Sequence, residues 1–275
     1  MRKTEVADTR LRVFAPAKVN LTLHVTGQRP DGYHLLDSLV MFADLGDVLE
    51  LTAGPEMMLD VTGPFAADVP DDTRNLAWRA AALAGWSGHI TVQKNLPHGA
   101  GIGGGSSDAG AVLRALQCDE SGLSLGADVP VCRFGRAAQI SGIGDRVDGV
   151  DVMPLFVVLV NPGAHCATPA VFSLLARKSN PPMDNLPPKG AGGAYWLSWL
   201  RAQRNDLEEP ACALSPVIAD VLETLGGTKD VLLARMSGSG STCFGLYPTL
   251  AAARSAAHAL SASHPAWWVV PTTLS

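Results

Sequence analysis

"LPHGAGIGGGSSDAG", Leu96 to Gly110, places six glycines and two adjacent serines in fifteen residues. Glycine costs roughly 0.5–1 kcal/mol relative to alanine wherever regular structure forms. A tight connection needs one or two special φ values, and Gly99, Gly101, Gly103, Gly104 and Gly105 exceed that need. The surplus implies a ligand approached closely by backbone. Free N–H groups at a helix start suit an anion, and phosphate is the natural candidate.

The flanks support that placement. "HITVQKNLP" upstream reads as a strand, and "SSDAGAVLRALQ" downstream reads as a helix whose first serine caps backbone amides. A Walker A loop requires Gly-Lys-Ser/Thr at its end, and no lysine follows these glycines. Gly99, Gly101 and Gly104 satisfy G-x-G-x-x-G, but a dinucleotide fold wants an acid ending a strand about twenty residues on. Asp119 and Glu120 instead follow a helical pattern. That dinucleotide reading, an NAD-binding oxidoreductase, is a poor second.

Working outward, "LRVFAPAKVNLTLHVTG" alternates as a strand after a proline-marked bend, and "VMFADLGDVLEL" and "MMLDVTG" are extended. "TRNLAWRAAALAG" has helical spacing and stops at Gly85. A second block begins near Val150 with the buried strand "VMPLFVVLVNPG", followed by the helix "TPAVFSLLAR" and a Pro/Gly-rich surface loop, Asn180 to Ala194. "SPVIADVLETLGG" and "LAAARSAAHALSAS" are helical, while "VLLARMSG", "STCFGLY" and "AWWVVPTTL" are strands. Interleaved strands and helices without a repeat indicate an α+β protein in two halves, 1–150 and 151–275.

The 275 residues are 47% apolar and 17% charged, an ordinary globular composition with ample core. The net charge of -5, without basic runs, argues against nucleic-acid binding. Cys118, Cys132, Cys166, Cys212 and Cys243 form no C-x-x-C pair and read as buried reduced thiols. The start, "MRKTEVADTRLRVF", has no apolar core of a signal peptide, and "VMPLFVVLV" is too short to span a bilayer. A soluble, cytoplasmic protein acting on a small molecule is the expectation, with oligomeric state open.

The run from Pro97 to Ala109 resembles the phosphate-binding motif of the GHMP kinases, small-molecule kinases named for galactose, homoserine, mevalonate and phosphomevalonate. "APAKVNL" (Ala15 to Leu21) and "MSGSGSTCFGLY" (Met236 to Tyr247) resemble that family's N-terminal and C-terminal motifs, in the right order. "PAKVNLTLHVTGQRPDGYHLLDSLV" and "LGADVPV" resemble one branch, which phosphorylates the 2-hydroxyl of 4-diphosphocytidyl-2-C-methyl-D-erythritol on the methylerythritol phosphate route to isoprenoids. The resemblance implies an N-terminal domain with a left-handed βαβ crossover and a ferredoxin-like C-terminal domain, with ATP and substrate in the cleft between them.

It also implies roles. Pro97, Gly99, Gly101, Gly103, Gly104, Gly105, Ser106 and Ser107 would cradle the ATP phosphates, at least one serine adding a hydroxyl contact or holding a Mg²⁺-bound water. Lys94 would contact the nucleotide. Asp128, read as lying before a proline-containing strand, would be the catalytic base. A carboxylate (ordinary pKa about 3.9) cannot fully deprotonate an alcohol (near 15.7), so orienting the hydroxyl is its main work. Lys18 would steady the developing charge, against the plainer reading of an exposed edge lysine. Asn20 would touch substrate. Tyr33 and Phe172 would sandwich the cytosine, with His34 reading its edge and Thr168 and Pro169 forming the pocket wall. Mg²⁺ would accompany ATP; its ligands are unknown. The segment "CDESGLS" before "LGADVPV" is shorter than the family usually carries. A GHMP kinase for another small alcohol and a non-catalytic ATP-binding protein on the same scaffold are the alternatives.

Overall fold

The structure, a computed structural model, describes residues 10–275. The N-terminal reading above falls mostly on residues 1–9, outside the described residues. Contacts divide the chain into two interleaved units. The first comprises residues up to Pro16, Gly46–His98 and Gly104–Gly135; the second comprises Ala17–Leu45, Gly99–Gly103 and Arg136–Ser275. Strands β1 (Arg10–Asn20) and β3 (His34–Ala53) contribute residues to both, while β2 (His24–Gln28) belongs to the second. Pro16 does not break β1, contrary to the expected bend. Gly46 explains how β1 passes there: a Cβ on it would stand 2.2 Å from the Ala15 carbonyl oxygen.

In the first unit, β4 (Met58–Thr62), α1 (Leu76–Leu83) and β5 (Gly88–Gln93) form a βαβ crossover, with β4 and β5 parallel. β5 then pairs antiparallel with β3 over Val48–Ala53. Asn75 caps α1 by accepting the Ala77 N–H at 2.9 Å, and Gly85, at φ 65°, ends the helix in the left-handed region as expected. α2 (Gly104–Ala115) packs on α1 through small residues, Ala77, Ala80 and Ala81. α3 (Val129–Phe134) crosses α2 at Gly110, where a Cβ would meet the Arg133 backbone nitrogen at 2.5 Å. Leu49, Leu51, Ile90, Val92, Leu113 and Val129 fill the core. Each contributes about 1.5–3 kcal/mol by burial.

The second unit holds an antiparallel sheet of β8 (Leu155–Asn161), β9 (Leu233–Met236), β10 (Cys243–Tyr247) and β11 (Trp268–Leu274), ordered β11-β8-β10-β9. With α7 (Val217–Gly226) before β9 and α8 (Leu250–Ser263) before β11, this is the ferredoxin-like βαββαβ arrangement. The fold is α+β. Between β8 and α7 lie α4 (Thr168–Ser173), α5 (Gly193–Ala202) and α6 (Glu208–Leu214). β6 (Ala138–Gly142) and β7 (Arg146–Gly149) form a hairpin whose β6 pairs with β3 over Leu36–Val40. Neither this hairpin nor α5 and α6 is among the elements expected from local sequence pattern.

The Pro/Gly-rich loop is mostly exposed, as expected, but it is anchored. Met183 is buried, its N–H donating to Asp37 Oδ2 at 2.9 Å, and Trp199 Nε1 holds the Asn185 carbonyl at 3.0 Å. All five cysteines are free thiols. No helix among the described residues is long and apolar enough to cross a membrane.

Candidate active site

Gly99, Gly101 and Gly103 adopt φ of 64°, 74° and 67°, a conformation that side chains strongly disfavour. A Cβ on Gly101 would stand 2.4 Å from the Gly240 carbonyl oxygen. Within the second unit this segment is threaded between two neighbours. The Lys18 N–H donates to the Ile102 carbonyl at 2.9 Å on one side, and the Thr242 N–H donates to Ala100 at 3.1 Å on the other. The N-terminal and C-terminal motifs are therefore both backbone partners of the glycine segment.

At Gly104 the chain enters the first unit and α2 begins, two residues before the expected start. The serines do not cap it. Ser107 is fully buried and donates to the Pro16 carbonyl at 2.6 Å, a structural use that leaves Ser106 as the half-buried serine at the helix start. Gly103, Gly104, Gly105 and Ser106 supply the four N–H groups that no helical carbonyl can satisfy, together with the positive end of the helix dipole. Pro97 is half-buried at the entry to the turn.

Lys18 is 3% exposed, which excludes the plain edge-lysine reading. Its Nζ donates to Asn20 Oδ1 at 2.8 Å, and Asn20 Nδ2 donates in turn to Ser38 Oγ at 2.8 Å. The i, i+2 spacing placed both side chains on one strand face, and the structure joins them.

Asp128 is the residue from which α3 starts, not the approach to a strand as expected; Pro130 fits the first turn of that helix. The Asp128 side chain makes no cap hydrogen bond to α3. The short segment before it closes compactly within the first unit. Gly122, at φ 81°, sits so close to α2 and α3 that a Cβ would meet Val129 Cγ1 at 2.5 Å, and an Arg133 guanidinium hydrogen holds the Cys118 carbonyl.

The Lys94 ammonium lies at the start of α2, 3.5 Å from where a Cβ on Gly104 would stand. It is 3% exposed, 2.7 Å from Asp108 Oδ2 and bonded also to Asp47 Oδ2. Burial works against its charge, but the two carboxylates outweigh burial and raise its pKa. Burial likewise pushes Asp108 up to about 7, opposed by Lys94.

In the second unit His34 and Phe172 stack, ring centroids 4.6 Å apart and 21° from parallel. Tyr33, next to His34, is exposed. His34 Nε2 is buried with no hydrogen-bond partner among the described residues, and burial, with help from Lys178, lowers its pKa. Thr168 opens α4 with Pro169 after it, and its hydroxyl is 2.8 Å from Ser239 Oγ of the C-terminal motif. Among the described residues there is no group of three or more His, Cys, Asp or Glu able to hold a metal.

The models of the GHMP kinases N terminal domain and of the GHMP kinases C terminal match residues 75–154 and 196–266. The chain belongs to the GHMP kinase family. It is 55% identical over 269 residues to a 4-diphosphocytidyl-2-C-methyl-D-erythritol kinase of Dinoroseobacter shibae, covering 95% of this chain and 94% of that one. To the kinase of the same name from Paracoccus denitrificans it is 51% identical, covering 96% and 97%. Among solved structures, a 4-(cytidine 5'-diphospho)-2C-methyl-D-erythritol kinase is similar with TM-score 0.75 and 34% identity, covering 96% and 99%. A homoserine kinase from Cytophaga hutchinsonii, at TM-score 0.63 and 17% identity, covering 99% and 96%, shares the fold.

Several residues that hold the segments of this GHMP kinase in place were not expected from its sequence. Asp47 lies inside a long strand and Asp108 inside a helix, where single carboxylates read as surface residues. Ser237 and Ser239 stand out in the sequence only as part of the C-terminal motif. Their partners lie far away in the chain, so no local spacing announces them. One signal was present: a charged residue in a strand or helix that is otherwise apolar on the same face.

Proposed function

We propose that this chain transfers the γ-phosphate of ATP to the 2-hydroxyl of 4-diphosphocytidyl-2-C-methyl-D-erythritol, a step in the methylerythritol phosphate route to isoprenoids. The observation that carries the reading is the glycine segment. Three left-handed glycines lead into the N-terminus of α2, in a chain similar over almost its whole length to kinases of that name. Exposed N–H groups at a helix start hold phosphate oxygens without a side chain intervening.

Within that reading, the backbone from Gly99 to Ser107 takes the triphosphate, and the half-buried Ser106 offers the hydroxyl. Ser106 would hold a water of Mg²⁺ bound with the nucleotide, an ion that would supply charge neutralisation on the phosphates. Asp128 orients the substrate hydroxyl and accepts its proton late in transfer. Lys18, buried against the neutral amide of Asn20, steadies negative charge as it develops, and Asn20 contacts substrate. The cytosine takes the imidazole's place on the face of Phe172, with Tyr33 folding over it. His34, its buried Nε2 unpartnered, reads the base edge. Thr168 and Pro169 form the adjoining wall.

The test is ADP formation by the purified protein with ATP, Mg²⁺ and 4-diphosphocytidyl-2-C-methyl-D-erythritol, against erythritol, mevalonate and homoserine controls. Turnover with the cytidyl substrate alone is expected. Turnover with a control instead would move the assignment to another small alcohol, and ATP binding without any turnover would make the chain a nucleotide-binding protein.

A further inference from the structure

Asp47 joins the two ends of the glycine segment. Its Oδ1 accepts the backbone N–H groups of Asn95 at 2.6 Å and Leu96 at 3.0 Å, where the chain turns out of β5 towards the glycines. Its Oδ2 receives the Lys94 ammonium, which donates also to Asp108 on the second turn of α2 at 2.7 Å. Just above the pair is Gly104, first residue of that helix. A Cβ there would stand 3.5 Å from Lys94 Nζ and 3.7 Å from Asp47 Oδ2. All these residues belong to the first unit, and Asp47 is fully buried. One carboxylate thus ties the residues before the segment to the helix after it, with a buried ammonium as the link.

Burying three ionisable groups is costly unless the geometry repays it. Apolar residues of the same volume would fill the space more cheaply. The arrangement is also incomplete, because Asp108 Oδ1 is buried without a hydrogen-bond partner among the described residues. A feature that stability alone would not favour, set directly under an anion-binding helix start, calls for a role at that helix start.

We propose that Asp47 is a positioning residue for ATP: acting through Lys94, it holds residues 94–96 and the N-terminus of α2 at the separation at which the glycine N–H groups converge on the phosphates. The proposal rests on the ATP-binding reading above, and it reassigns Lys94 from contacting the nucleotide to bracing the loop that does. Pure electrostatics predicts the opposite outcome, since removing a negative charge below an anion site tightens anion binding.

The experiment measures ATP affinity directly, by calorimetry, with steady-state kinetics beside it. Asp47→Asn keeps Oδ1 for the two N–H groups and removes the charge that holds Lys94. Its Kd and KM for ATP should rise about tenfold, as expected of a small misplacement, while KM for the acceptor alcohol stays unchanged. A double cycle with Lys94→Met should be strongly non-additive, the double variant binding ATP no worse than Lys94→Met alone. Additive losses, unchanged or tighter ATP binding, or an equal rise in both KM values would overturn the proposal. So would a fall in kcat at constant KM, the mark of a smaller folded fraction. If Asp47→Asn does not fold, Asp47→Glu, which keeps the charge but moves it by one methylene, carries the same prediction. Calorimetry on the wild type separates the two readings. ATP binding without kinase turnover sinks the kinase assignment and leaves this test in place; no ATP binding at all sinks both.

Discussion

The backbone N–H of Asn20 is held by the hydroxyl of Ser237, at 3.0 Å, across 217 residues of sequence. The same hydroxyl lies 3.4 Å from the Gly101 carbonyl. One serine of the C-terminal motif therefore meets a backbone group of each of the other two motifs, and all three groups lie within the second unit. Replacing Ser237 by Ala leaves the buried Asn20 N–H without its acceptor, at a cost of about 1–3 kcal/mol. Urea unfolding should show that loss with an unchanged m-value, and the variant should bind ATP more weakly. Unchanged stability would mean that water replaces the hydroxyl.

Asp128→Asn should reduce turnover by about 10²–10⁴, the range for losing a positioned proton acceptor. The variant keeps the shape of the α3 start, where the Asp128 side chain makes no cap bond, so ATP binding should be retained. Calorimetry and single-turnover kinetics check both halves. Equal loss of binding and turnover would mark Asp128 as structural.

Phe172→Ala removes the ring on which His34 now lies. Base–aromatic stacking is worth about 1–3 kcal/mol by alanine substitution, so KM for the cytidyl substrate should rise about 10- to 100-fold. KM for ATP should not change. His34, whose pKa is depressed below its ordinary 6.5 by burial, is neutral at pH 7. Its contribution to stability is present above pH 6.5 and is lost as pH falls through the lower folded-state value. KM for the cytidyl substrate should accordingly be flat near neutrality and climb only on acidification. A His34→Gln variant should lose that climb.

Asp108 gives a pH dependence of opposite sense. Its folded-state pKa, raised from 3.8 to about 7 chiefly by burial, means that the folded protein keeps a proton which the unfolded chain has released. Stability should therefore fall as pH rises from about 4 to about 7 and level off above that. Asp108→Asn removes this slope. Denaturant melts at pH 5 and pH 8 should show the variant gaining on the wild type at the higher pH. A parallel pair of curves would place the titration elsewhere.

Gly101→Ala tests the glycine segment itself. At φ 74° an alanine is strained by about 1–3 kcal/mol. Its Cβ would also stand 2.4 Å from the Gly240 carbonyl, so backbone must move. Both stability and the protection that ATP gives against heat should drop, with the loss of protection exceeding what the lower Tm explains.

The motif residues were legible in the chain because their chemistry is local. A run of glycines before a helix has few other uses, and Lys18 and Asn20 share a strand face by simple alternation. Strongly periodic segments such as α8 and the helix stop at Gly85 could be read for the same reason: the interactions that make them lie within a few residues. The hairpin of β6 and β7 could not, since its register depends on β3, some hundred residues earlier. Nor could the nature of "VPVCRF". Its valines suit a strand locally, and although Pro130 is at home in a first helical turn, it is against Gly110 of α2 that the segment settles as a helix. Tertiary structure alone decided where the side chains point. It buried Ser107 against Pro16, laid His34 on Phe172, and turned Lys94 inward between Asp47 and Asp108. A sequence states which groups exist and how far apart they are along the chain. Burial and the choice of a distant partner are properties of three dimensions, and they decide whether a charge meets solvent, a ligand or another charge.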